Sequence, residues 1–234
     1  MDAQQRLAAL DWSAIEDSLS RHGYAKTPVV LTPDECDALI AMYGERDRFR
    51  SRVEMERFRF GVGDYQYFAA PLPPLVQELR VHAYPPLAAI ANRWETALGS
   101  RTRHPATLAD LQALCKRHGQ TRPTPLLLHY EAGGYNCLHQ DIYGDVVFPL
   151  QLTCFLSRRS DYDGGDFLLV EQRPRAQSRG EAIATEQGEI VIFPTRHRPL
   201  HGARGWSRAA LRHGVSTIRR GTRYTLGVIF HDAK

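Results

Sequence analysis

Cysteine is scarce and poorly placed for either of its common structural uses. The four in the chain, Cys36, Cys115, Cys137 and Cys154, are scattered, with no C-x-x-C pair. That excludes a zinc cluster of paired thiolates and a disulfide framework, and leaves the reduced thiols of a cytoplasmic protein as the expectation. Long apolar runs are missing too. Nothing approaches the ~18 consecutive apolar residues of a membrane-spanning helix. The opening residues, MDAQQRLAALDW, carry acids and no hydrophobic stretch of the kind a secretory signal needs. No repeat and no low-complexity tract divides the chain. Acid is in slight deficit: 30 Lys and Arg against 26 Asp and Glu leave a net charge of +4. This permits an anionic partner such as nucleic acid without requiring one. With 43% hydrophobic and 24% charged residues in 234, disordered, collagenous and coiled-coil classes are out, and one large domain or two small ones remain. The surplus is histidine, ten in all, and it directs the search to metal chemistry.

The texture changes near residue 122. Before it, the signals are helical. Leu7, Leu10, Ile15 and Leu19 punctuate an opening segment. Thr32-Pro33-Asp34-Glu35 is a capping box with proline at the first helical position, followed by Cys36, Leu39, Ile40 and Tyr43 at helical spacing. Leu75, Val76 and Leu79 begin a further helix that Pro85-Pro86 is expected to break before Leu87–Leu98 resumes it. Leu108–His118 ends at Gly119, a C-cap. After Pro123 come short β runs at Leu126–Tyr130, Val146–Leu156, Phe167–Glu171, Glu189–Phe193 and Thr222–Phe230, parted by glycine turns at 132–134, 163–166 and 187–188. Closely spaced strands with such turns favour a sandwich or barrel over βαβ units. The reading is an α+β protein: a mainly helical support over residues 1–121 packed on a β core over residues 122–234.

The sharpest local pattern is His139-Gln140-Asp141. Residues i and i+2 of a strand share a face, so the imidazole and the carboxylate can converge on one ion. Two histidines and one carboxylate form the facial triad of non-haem Fe(II) oxygenases, with three positions left open. Alone the tripeptide says little, and a solvated turn histidine explains it as well. A third ligand has to come from a distant strand; His213 is one source, and His197 and His201 are others. The latter two are four apart, but Pro199 between them opposes a regular helix. His129-Tyr130-Glu131 is an H-x-E that would also present same-face ligands, read as structural because His129 and Tyr130 face opposite ways. In Thr222–Phe230, alternation puts Arg223, Thr225, Gly227 and Ile229 on one face. A guanidinium on a buried strand face is costly unless paired, and its planar fork suits a carboxylate, from a ligand or from the protein itself.

Taken in order, these motifs resemble the Fe(II)/2-oxoglutarate-dependent dioxygenases, especially the prolyl 4-hydroxylase-like branch. The matching parts are Tyr130 to Gly134 leading to His139 and Asp141, Gly164-Gly165-Asp166, Gly188 through Phe193-Pro194, His213, and Arg223-Tyr224 ten residues on. The resemblance spans about residues 122–232. It implies a double-stranded β-helix (jelly-roll, cupin-like) core and Fe(II) held by His139, Asp141 and His213. It also implies 2-oxoglutarate anchored by Arg223 with Thr225 and Tyr130 beside it, O2 as the second cosubstrate, and hydroxylation of a C–H bond coupled to oxidative decarboxylation. One departure is the interval from Phe193 to His213, longer than the family's, which keeps His201 in contention as the distal ligand.

The whole-chain texture, including Gly23-Tyr24-Ala25-Lys26, Gly63-Asp64-Tyr65-Gln66-Tyr67-Phe68 and the ending Gly227 to Asp232, resembles a bacterial oxygenase family described as acting oxidatively on methylated, damaged DNA. The partner implied is DNA or RNA. Arg46, Arg48, Arg50, Arg52, Arg57 and Arg59, interleaved with Phe49, Phe58 and Phe60, suit phosphate contact and base stacking. The same segment holds Glu45, Asp47, Glu54 and Glu56 and also reads as a solvated mixed-charge helix. A protein or small-molecule hydroxylase and a non-catalytic β-barrel binding module are the alternatives.

Overall fold

The computed structural model describes residues 1–203 and 205–234. Helices form where the local signals are strongest. The Thr32 hydroxyl accepts from Glu35 N–H at 3.2 Å, the Glu35 carboxylate accepts from Thr32 N–H at 2.8 Å, and Pro33 opens the helix Pro33–Ala41. Two otherwise orphaned donors are thereby satisfied. Thr107 caps Leu108–Arg117, and Gly119 follows in the left-handed region at φ 73°.

The proline pair does not break its helix. Pro74–Ala97 is continuous, with Leu79, Ala83 and Tyr84 buried before the prolines and Leu87, Ile90, Ala91 and Trp94 after them. Pro85 is exposed, on the side of the helix where a missing hydrogen bond costs least. The apolar stripe runs straight through, and at about 1.5–3 kcal/mol per buried large side chain it outweighs the proline penalty of roughly 3 kcal/mol each.

Two large antiparallel sheets make up most of the β structure, and a two-stranded ribbon pairs Tyr162–Gly164 with Ile218–Gly221. The larger runs, in order, Ala25–Lys26, Ile190–Pro194, Leu150–Phe155, Arg223–Val228, Leu126–Tyr130, Asp64–Phe68 and Phe49–Glu54. The smaller runs Arg179–Ile183, Phe167–Gln172, Gly205–Val215, Tyr135–His139 and Gly61–Val62, with His197–Gly202 also paired to Gly205–Val215. One face of the large sheet (Leu127, Leu152, Cys154, Ile192, Leu226, Val228) packs on the long helix in a single core. Its other face meets the small sheet: Phe155, Val191 and Phe193 share a cluster with Phe167, Leu169, Ile183 and Leu211. The fold is therefore mixed, helices on one side of paired antiparallel sheets.

The β structure is not confined to the second half. Residues 49–54 and 64–68 extend the large sheet, and 61–62 the small one. The segment Arg46–Phe60 is likewise no helix; it is a short 3-10 turn, the strand Phe49–Glu54 and a second 3-10 turn, Met55–Phe58. Its charge pattern misleads because many acids and bases pair locally (Arg48 with Glu45, Arg57 with Glu54). Meanwhile, alternation in Asp64–Phe68 dictates a strand, with Asp64, Gln66 and Phe68 buried on one face.

His231 ties the chain's end to this core. Phe148 N–H donates to its Nδ1 at 3.2 Å, and its Nε2 is buried without a partner. Burial pushes the imidazole down to about 4. The folded state thus binds fewer protons than the unfolded state, in which histidine titrates near 6.5. Stability is full above that value and falls as pH drops toward 4, by on the order of 3 kcal/mol. His231→Asn, which keeps an acceptor for Phe148, is expected to flatten this part of the curve. Urea unfolding at pH 7, 5.5 and 4.5 checks it; identical slopes for both proteins would contradict the assignment.

Candidate active site

Two cross-strand registers assemble the site. In the small sheet His213 lies directly opposite His139; in the large sheet Arg223 lies opposite Tyr130 and Thr225 opposite Leu128. Alternation then puts Tyr130, Arg223, Thr225, Gly227 and Ile229 on the wall of one cavity whose other side carries His139, Asp141, His213 and Phe167.

His139, Asp141 and His213 bring their ligand atoms within 4.8 Å of one another, the one such group of three His, Cys, Asp or Glu among the described residues. Asp141 stands 3.2 Å from His213 Nε2 and 3.6 Å from His139 Nε2. Ligands at right angles, each ~2.1 Å from a shared ion, stand about 3 Å apart, so the set fits a metal with little adjustment. Tautomers suit it as well. His139 Nδ1 donates to the Cys137 carbonyl at 2.8 Å, which leaves the Nε2 lone pair free. His213 is buried between Phe167, stacked at 5.9 Å, and Phe193 at 4.7 Å. Burial, and then the neighbouring His139, hold its imidazole below the usual histidine range. Burial alone would raise Asp141, but His213, His139 and a hydrogen bond from Tyr143 hold its carboxyl far below the usual range. Asp141 itself lies just past the end of the strand Tyr135–His139, not within it.

The other histidines are elsewhere. His197 and His201 sit on the strand His197–Gly202, where His201 is exposed and packs on Trp206. His129 points to the opposite side of its sheet, its Nδ1 2.9 Å from Asp64 and its ring stacked on Tyr224.

Arg223 is the chemical anomaly. Among the described residues three arginines are fully buried, Arg80, Arg198 and Arg223. Arg80 donates to Asp232 at 2.6 Å and to the carbonyls of Ile229 and Phe230. Arg198 donates to Glu171 at 2.6 Å and to Ser20 O at 2.7 Å. Among the described residues none of the three Arg223 nitrogens has a hydrogen-bond partner, although the Tyr162 side chain is close enough to favour its charge. Its guanidinium lies among the rings of Phe155, Tyr130 and Tyr162 at 5.4–5.9 Å, and burial lowers its proton affinity. Space for it depends on Gly165, at φ 63°, where a Cβ would come within 3.0 Å of Arg223 Cδ and 2.2 Å of Ile218. A planar buried fork of this kind suits a carboxylate.

Several contributors carry no sequence signal of their own. Tyr143 donates to Asp141 Oδ1 at 2.7 Å and accepts from Tyr67 at 3.2 Å. Asn136 donates to the Tyr130 hydroxyl at 3.2 Å, and burial pushes that phenol up to about 12. Gln140 clamps the ligand loop by donating to Leu211 O at 2.7 Å. Beyond His139 and Asp141 a second cavity opens outward, lined by Phe60, Tyr65, Tyr67, Leu126, Leu128 and Tyr143. Tyr65 and Tyr67 thus line this cavity, whereas Phe68 belongs to the core behind.

Facing sheets thus bring a His-Asp-His set and a buried guanidinium to one cavity. Residues 63–233 match the family described as "oxygenase, catalysing oxidative methylation of damaged DNA", and the chain belongs to that family. A protein of Mycobacterium tuberculosis, described only as uncharacterized, is 51% identical over 167 residues, 71% of this chain and 72% of that one. Among solved structures, a Pseudomonas putida prolyl-4-hydroxylase is similar with a TM-score of 0.52 and 16% identity over 95% of this chain and 100% of that one. A Burkholderia pseudomallei oxidoreductase of the 2OG-Fe(II) oxygenase family gives 0.56 and 14%, over 96% and 94%. The protein is an enzyme of the oxygenase class. Among the described residues no helix is long and apolar enough to cross a membrane.

Arg223→Met separates an anion anchor from a structural ion pair. Removing an unpaired buried charge leaves the ligand-free protein as stable as before, or about 1 kcal/mol more so. Severing a buried pair instead costs roughly 3–5 kcal/mol. Chemical denaturation of the metal-free protein reads the difference, and a loss of that size would rule out the open-anchor account.

Proposed function

We propose that this protein is an Fe(II)- and 2-oxoglutarate-dependent dioxygenase that oxidises an N-methyl group of a damaged nucleic acid. The two facing sheets are read as a double-stranded β-helix formed as one compact unit by residues 1–121 and 122–234 together. The observation that carries the reading is the unpartnered guanidinium of Arg223 in the same cavity as the His139, Asp141 and His213 donor set.

Each residue has a definite task. His139, Asp141 and His213 would hold the metal. Arg223, with Thr225 beside it, grips the far carboxylate of 2-oxoglutarate as a fork, and Tyr130 offers a phenol to the same molecule. Bound Fe(II), with this cosubstrate and O2, supplies the oxidation of a C–H bond, and the cosubstrate leaves as succinate and CO2. Tyr143 keeps Asp141 ionised and fixed. The apolar walls of the cavities exclude water.

The family's description speaks of methylation, but a centre of this kind inserts oxygen into C–H bonds. Applied to an N-methyl group it gives a hydroxymethyl amine that falls apart into the free amine and formaldehyde, so the expected direction is removal. The outer cavity supports a flat, partly apolar substrate because its lining is aromatic and aliphatic. A prolyl-type or small-molecule hydroxylase is the competing reading, favoured by the fold of the Pseudomonas putida relative.

Two experiments test this. The first is anaerobic loading with Fe(II) and 2-oxoglutarate, then O2, against a panel of N-methylated oligonucleotides and of peptides. Formaldehyde and a mass loss of one methyl are expected from an oligonucleotide; a peptide gaining one oxygen, with no oligonucleotide changed, would contradict the proposal. The second compares His213→Ala with His201→Ala. The first variant is expected to lose Fe(II) binding and succinate formation and the second to keep both; the reverse pattern would overturn the ligand assignment. In the same assay Arg223→Leu is expected mainly to raise the KM for 2-oxoglutarate.

A further inference from the structure

The turn over residues 55–60 goes to some trouble to present two aromatic rings to solvent. Met55 is fully buried, with its N–H on Gly63 O at 2.9 Å, and it anchors the turn. Phe60 N–H returns to Met55 O at 3.0 Å, and Arg59 takes up the left-handed conformation at φ 59°, ψ 32°. That conformation is unfavourable for a residue with a Cβ, and persists where the surroundings hold it. Phe58 and Phe60 emerge with their rings stacked, centroids 5.5 Å apart and planes within 20°. They are 58% and 47% exposed.

Their position gives the pair its meaning. Cys137 N–H donates to Phe60 O at 2.8 Å, so the turn is fastened to the strand that ends in His139. Phe60 and Arg59 line the outer cavity that opens onto His139 and Asp141. Leu138 and Ile142, on either side of the ligand pair, are exposed as well. Charge alternates with the rings. Arg57 faces only a long contact to Glu54, at 3.8 Å, and Arg59 makes no ion pair among the described residues. Glu56 is the turn's other exposed acid.

We propose that Phe58 and Phe60 are a stacking platform for an unpaired nucleobase, with Arg57 and Arg59 on the flanking phosphates. The proposal rests on the nucleic-acid reading above and specifies how such a substrate is held. A flat π-surface bracketed by cations beside a deep cavity suits a base that has left its stack, because every base offers a π-face and every linkage an anion. A base still paired in a duplex cannot lie on the platform or reach the metal ligands behind it.

Fluorescence anisotropy with a labelled, unmethylated single strand, its duplex and an abasic version of the strand provides the test. The single strand should bind more tightly than the duplex. Phe58→Ala and Phe60→Ala should each weaken single-strand binding by about 5- to 100-fold, Phe60→Trp should restore it, and neither alanine should alter binding of the abasic strand. Arg57→Gln and Arg59→Gln should each lower the slope of log affinity against log salt by about 0.7. All four side chains are exposed, so unfolding temperatures should match that of the parent protein. Equal single-strand affinity in parent and alanine variants, or an equal loss on the abasic strand, would overturn the platform. If methylated oligonucleotide still releases formaldehyde in that case, the nucleic-acid reading survives it. Absence of any oligonucleotide binding by the parent protein, with peptide-stimulated succinate formation, would sink both.

Discussion

A single unpaid electrostatic cost shapes this molecule: a guanidinium taken out of water and given nothing to bind. Arg80 and Arg198 show what the chain does with a buried arginine when the purpose is structural, surrounding it with a carboxylate and carbonyls. Arg223 gets three aromatic rings and an open cavity. Rings soften the loss of hydration but do not replace an anion. The fold holds that charge because the strand Arg223–Val228 is central in its sheet, with paired neighbours on both edges.

The same logic of register governs the donor set. His139 and His213 are opposite one another on neighbouring strands, and the loop carrying Asp141 is pinned from two sides, by Gln140 on Leu211 and by Tyr143 on the carboxylate. A slip of one residue in either sheet would turn a ligand or the anchor to the wrong face. The long helix and its apolar partners act on the site only through these registers, by covering the far face of the large sheet. Around the outer cavity the demands differ. Tyr65, Tyr67 and Phe60 give shape and an apolar surface, on the side we propose for the substrate.

Much of this was legible in the sequence because its carriers are local. The alternation of Thr222–Phe230 places Arg223, Thr225, Gly227 and Ile229 on one face, and those residues line the cavity. The capping box at Thr32 needs only four residues to be read. What sequence could not yield is non-local. Nothing in Phe49–Glu54 or Gly61–Val62 announces that they close the edges of two sheets, because short strands gain their stability from partners far along the chain. The proline pair at 85–86 outvotes the helix locally and loses to burial globally. Tyr143 and Asn136 became visible only once the strands had brought them to Asp141 and Tyr130.

The most direct test of the central claim is anomalous diffraction from crystals loaded without oxygen with Fe(II) and 2-oxoglutarate. The account predicts one iron peak bonded to His139, Asp141 and His213, with the cosubstrate's far carboxylate on the guanidinium of Arg223. Iron at any other histidine, or a carboxylate that leaves Arg223 unpaired, would contradict it.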